Sequence, residues 1–220
     1  MATITVQAVL DRVNTILVDV TKTRWTYEEL IVWFNDAVLA VISKRPDANL
    51  VNAPFTLTLN QSMQTLPANG LRWIEVIYNE ATGTPIRKTM RRQLDDQIPN
   101  WHKTTGVEPK QYVFDDRDPK TIYIHPQVTT AKNVRACYSV APVTIDIADI
   151  ATTVIPIDDT YVNPLVDFIL YRAYSKDADY AANAQRAAGH LQAFGMELGD
   201  KFQVDKSYNP KSRMEELNNG

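Results

Sequence analysis

Residues 26–46 read TYEELIVWFNDAVLAVISKRP. Leu30, Ile31, Trp33, Phe34, Ala37, Val38, Val41 and Ile42 recur at three- and four-residue intervals, the period of an α-helix. Together they cover more of the circumference than one neighbour can bury, so this helix requires several partners. Thr26 and Glu29 have capping-box spacing, in which side chains and backbone satisfy each other's free donors at a helix start. The helix is expected to run to Lys44. There the backbone dipole favours the cations Lys44 and Arg45, and Pro46 prevents continuation.

Both ends of the chain offer such partners. Upstream, Val6, Val9, Leu10, Val13, Ile16, Leu17 and Val20 form one apolar stripe over residues 5–20, with Thr5 as its cap. Downstream, helical order returns near Asp158, with Asp158, Asp159 or Asn163 as cap candidates and Pro164 acceptable in a first turn. Leu165, Phe168, Ile169, Ala173 and Tyr174 then form a stripe. After a break near residues 175–177, Tyr180, Ala184, Ala187, Leu191, Phe194 and Leu198 recur at helical spacing. Numerous alanines, with Gly189 and Gly195, remove bulk; a closely packed second backbone is expected to offset a propensity cost of about 1 kcal/mol per glycine. Beyond about Lys201 the pattern ends, and the polar residues 203–220 read as an extended tail.

From Ala53 the period switches to two, with Phe55, Leu57 and Leu59 alternating with Thr56 and Thr58. Further strands are expected at 71–78, 111–114, 121–125 and 133–140. Turn-rich stretches such as Pro67-Ala68-Asn69-Gly70 and Asp115-Asp116-Arg117-Asp118-Pro119 separate them. A short helix is expected around residues 91–98, anchored by Trp101. Residues 143–154 alternate weakly and carry Asp146 and Asp149, so they read as an edge strand or a connecting loop. The expected fold is α+β: a helical bundle built from N- and C-terminal helices (1–52 and 156–202), an inserted antiparallel β-rich domain (53–155) and an extended C-terminal tail (203–220).

Composition narrows the function classes. The chain has 220 residues, 45% of them apolar, enough to bury a core without staples. With 26 acidic against 23 basic residues the formal charge is −3, which leaves no excess of cations to neutralise a phosphate backbone. The first twenty residues lack the order of a signal peptide, and no apolar run approaches the ~20 residues of a membrane span, so a soluble protein folded in a cytoplasm is expected. Cys137 has no disulfide partner in the chain and reads as a packed strand residue rather than a nucleophile.

Three acidic doublets, Asp95-Asp96, Asp115-Asp116 and Asp158-Asp159, are the obvious candidates for acid–base work. Each has a simpler reading, as a helix surface, a turn and a helix N-terminus. His102, His125 and His190 have no Cys, His or carboxylate at ligand spacing, and the glycines are scattered, so no metal, phosphate loop or cofactor is expected. No catalytic residue is assigned, and the chain does not read as an enzyme. Two helices joined by a short turn raise the alternative of a DNA-binding module, but the long second helix is apolar throughout and is better explained by core packing. Arg87, Lys88, Arg91 and Arg92 form the densest basic cluster, which reads either as an inter-subunit or phosphate contact or as a solvated face partly paired with Asp95 and Asp96. Asp36 interrupts a packing stripe, which predicts a pair with Arg172 or Lys176.

Three blocks carry a resemblance. Residues 24–30 (RWTYEEL), 33–37 (WFNDA) and 44–48 (KRPDA) form the first; residues 115–120 (DDRDPK) leading into 122–126 (IYIHP) form the second; Leu165-Val166-Asp167 through Tyr171-Arg172-Ala173-Tyr174-Ser175-Lys176 to Tyr180 is the third. In this order they resemble the head-to-tail adaptor proteins of tailed phages, up to about Leu198. The resemblance implies a virion protein of the neck, assembled in the bacterial host cytoplasm, that forms a ring commonly of twelve copies. Such a ring docks under the portal protein, offers a surface to the tail or nozzle protein, and lets DNA through its lumen without reading sequence. In such adaptors the bundle forms the ring wall and a C-terminal extension reaches the portal. By position alone this assigns portal contact to the tail, with Tyr208, Pro210, Lys211, Arg213 and Met214 as candidate residues.

Overall fold

The computed structural model describes residues 2–19, 21–177 and 181–208 of a mixed α+β chain. Five α-helices lie among the described residues: α1 Val6–Leu17, α2 Tyr27–Lys44, α3 Arg91–Gln97, α4 Val162–Lys176 and α5 Ala181–Tyr208. The chain divides into two compact units, one of Met1–Arg45 with Pro142–Gly220, the other of Pro46–Ala141.

In the first unit α4 packs against α1, α2 and α5. Leu165, Ile169 and Ala173 of α4 are completely buried, as are Val6, Val9, Leu10 and Val13 of α1 and Leu30, Phe34, Ala37 and Val41 of α2. The width of the α2 stripe thus has its cause in more than one neighbour. The Thr5 side chain caps α1 by accepting from the Ala8 amide at 3.3 Å. Val18 ends α1 in a left-handed conformation (φ 57°), unusual for a β-branched residue, and its side chain is 81% exposed.

Several expectations need correcting. The capping box at Thr26 does not form: its side chain makes no cap hydrogen bond and engages Glu28, while the Glu29 carboxylate accepts from Lys176 Nζ at 2.6 Å. Gly189 and Gly195 face open space, with nothing within 4 Å of an added Cβ; α5 buries Ala187, Phe194 and Leu198 instead. Ile16 and Leu191, placed in packing stripes by their spacing, are 48% and 43% exposed. Residues 203–208, read as extended, continue α5, because the four-residue spacing persists from Leu198 to Phe202 and Asp205 meets Arg45. Residues 143–154, by contrast, take the second of their two expected forms, a connecting loop with a 3-10 turn at Ile147–Asp149 and no named strand.

The second unit holds α3 and nine strands among the described residues. They are β1 Leu50–Thr56, β2 Met63–Thr65, β3 Gly70–Asn79, β4 Arg87–Lys88, β5 Thr105–Gly106, β6 Gln111–Phe114, β7 Thr121–His125, β8 Gln127–Val128 and β9 Asn133–Val140. The strand at Leu50 begins before the alternation from Ala53, so residues 50–52 are not helical. One sheet has the order β1-β9-β3, antiparallel throughout, and β1 tolerates Pro54 because it lies at the edge. The second has the order β2-β7-β6-β4, and a third pairs β5 with β8. The β4–β6 and β5–β8 pairs are parallel, a departure from a purely antiparallel insert. Trp73, Val76, Ile122, Ile124, Val134 and Ala136 form the core, with Phe55 edge-on to Trp73 at 4.9 Å. Leu94, Trp101 and Val113 form a second cluster that fastens α3.

Candidate interaction surfaces

The acidic doublets are tied into structure. Asp95 accepts from the Trp101 indole at 2.7 Å. Asp115 accepts from the Arg117 guanidinium at 2.7 Å and the Arg117 amide at 3.0 Å, which hold its pKa down to about 2. Asp116 meets Arg72. The Thr160 amide, donating at 3.0 Å, is the largest cause that lowers Asp158 to about 2, while Asp159 accepts from the Thr3 and Ile4 amides. His102 and His125 both meet Trp101, His102 stacking on its ring at 3.6 Å and His125 Nδ1 lying 3.3 Å from its carbonyl, while His190 Nδ1 lies 2.7 Å from Asp167 Oδ1. Burial, then the nearby Arg91, lowers the pKa of His102. Burial and Glu75 push the Cys137 thiol up, away from a reactive thiolate. No group of three or more His, Cys, Asp or Glu that could hold a metal occurs among the described residues. No helix among them is long and apolar enough to cross a membrane.

A row of ion pairs joins α2, its preceding turn and α4: Arg172–Asp36 at 3.7 Å, Lys176–Glu29 at 2.6 Å and Arg24–Asp177 at 2.6 Å. The sequence singles out Asp36 correctly, and Arg172 rather than Lys176 is its partner. All are surface pairs, each worth at most about 1 kcal/mol. Before them, Asp19 gathers the α1–α2 turn by accepting from the amides of Thr23, Arg24 and Trp25 at 3.1, 2.9 and 2.9 Å. The Trp25 amide is the largest cause of its lowered pKa.

The basic cluster lies in the second unit. Arg87 and Lys88 are exposed on β4; Arg91 and Arg92, with side chains 72% and 92% exposed, stand 3.3 and 3.7 Å from Asp95 and Asp96 on α3. Lys88 also sits over the Phe114 ring at 5.3 Å. Of the tail candidates, Tyr208 is the last residue of α5, whereas Pro210, Lys211, Arg213 and Met214 lie outside the described residues.

One feature of the first unit is absent from the sequence reading. Arg45, its side chain 5% exposed, donates to Asp205 at 2.6 Å and stacks over Phe202 at 5.4 Å. Arg45 and Phe202, with Lys44, Gly195, Leu198 and Gly199, line a cleft of about 310 Å³. The continued spacing of Leu198 and Phe202, with Lys201 four residues before Asp205, was the available signal.

The fold and these surfaces define an α+β protein of two compact units presenting exposed faces of mixed charged and apolar character. The family model described as SU10 adaptor protein matches residues 4–214, and the chain belongs to that family. Membership supports a phage adaptor, a structural protein of the virion, and implies contact with other head and tail proteins and a place at the neck. Comparison with curated proteins returned no match.

Proposed function

We propose that this chain is the subunit of a head-to-tail adaptor ring, with twelve copies as the expected number. The ring binds the portal protein, gives the tail or nozzle protein its attachment surface, and lets DNA pass through its lumen without sequence readout. The helices of the first unit form a bundle that serves as the ring wall, and assembly takes place in the host cytoplasm. The observation that carries the reading is the family match over 4–214, which spans both units. The slight acidic excess of the chain agrees with DNA passage rather than capture. The chain acts without catalysis, by complementary surfaces.

Residues 209–220 then supply portal contact, with Pro210, Lys211, Arg213 and Met214 as anchors beside Tyr208. The test mixes purified full-length chain with portal rings and weighs the complex. A portal complex carrying many copies is expected, and it loses most of those copies when residues 209–220 are deleted. Failure of the full chain to bind portal, together with a salt-dependent shift of DNA, would overturn the reading in favour of a DNA-binding module.

A further inference from the structure

The basic cluster has charge that its own unit does not answer. Arg87 and Lys88 are exposed and make no ion pair among the described residues, while Arg91 and Arg92 lean on Asp95 and Asp96 with their side chains largely in solvent. Between them Met90 is 79% exposed. The arrangement does not serve α3, because Arg91 and Arg92 occupy its first turn and Asp95 and Asp96 lie toward its end, the reverse of what the backbone dipole favours.

A surface of opposite character exists in the first unit, at residues 143–149. Asp146 and Asp149 are exposed without a cation partner among the described residues, and Val143 is 84% exposed. The stretch contains no basic residue. It is held rigidly from beneath: the Ile145 amide donates to the Asn35 side chain and the Asn35 amide group donates to the Ile145 carbonyl, both at 3.0 Å, and Asp146 Oδ1 accepts from the Ala148 amide at 3.2 Å. A rigid surface loses little freedom on binding.

We infer that the basic edge at residues 87–92 of one copy seats on residues 143–149 of a second copy, with Arg87 and Lys88 meeting Asp146 and Asp149 and Met90 packing beside Val143. The occupant is a second copy because each surface supplies the charge that the other lacks, two unanswered cations against two unanswered carboxylates. Two different patches on one chain make a head-to-tail contact, the kind that closes into a ring when the rotation permits. The inference rests on the ring reading above and names its contact.

The test reverses charge in the full-length chain and follows assembly by mass measurement, with and without portal rings. Arg87→Glu with Lys88→Glu, and separately Asp146→Lys with Asp149→Lys, each weaken association about tenfold or more, and the four substitutions combined in one chain restore it. Circular dichroism of every variant checks that folding is retained. Wild-type assembly that either double reversal leaves unchanged, or a combined variant that stays apart, overturns this contact while the ring reading stands. A wild-type chain that remains single even on the portal overturns both. Retained assembly with loss of DNA binding in the Arg87/Lys88 variant also overturns it, and assigns the basic edge to phosphate.

Discussion

Asp19 shows how much a single carboxylate can organise. Its two oxygens accept from three consecutive amides, so those of Thr23, Arg24 and Trp25 are satisfied just ahead of α2. Those donors, the Trp25 amide foremost, stabilise the charged form and hold its pKa below the ordinary aspartate value. The carboxyl group therefore adds stability that is fully present above its unfolded pKa and is lost as pH falls through the lower folded one. Asp19→Asn replaces one accepting oxygen with an amide NH2, which cannot accept from these donors. Its urea midpoint is expected below wild type near neutral pH, with the difference narrowing as the solution is acidified below the carboxylate range. A pH series of urea melts checks this, and a constant difference would assign the effect to shape alone.

Among the elements, α5 departs furthest from its sequence pattern. Its buried line is narrow, with Ala187, Phe194 and Leu198 against α4, while Gly189, Gly195 and Gly199 leave open space outside. Each glycine costs about 1 kcal/mol of helix propensity relative to alanine, and nothing among the described residues of the isolated chain offsets it. Gly195→Ala with Gly199→Ala should therefore stabilise the free protein by roughly 1 kcal/mol per site, read from chemical denaturation. Loss of stability would mean that a backbone does approach this face. The helices were legible because their stripes span several turns, so a few misplaced residues such as Ile16 and Leu191 do not hide the period. The two-residue strands β4, β5 and β8 were not, since two residues carry no period and their partners lie far along the chain.

At the scale of the whole molecule, the long strands and the fastening of α3 by Trp101 could be read from alternation and turn residues. The Arg172–Asp36 pair could be read because charge interrupts a packing stripe. The failed capping box and the Arg45–Asp205 contact could not, because each depends on a partner brought close only by the fold. The two units also differ in kind. The β-rich unit is one contiguous stretch with its own core, so residues 46–141 expressed alone should unfold in a single cooperative urea transition. Residues 1–45 alone should show no such transition, since their apolar stripes depend on α4.

That division has a consequence for synthesis. As the chain leaves the ribosome, α1 and α2 come first and must wait, stripes uncovered, while the whole β-rich unit is translated; only then does α4 arrive to close over them. A product terminated before α4 keeps those apolar stripes bare and is expected to be more readily proteolysed than the full chain.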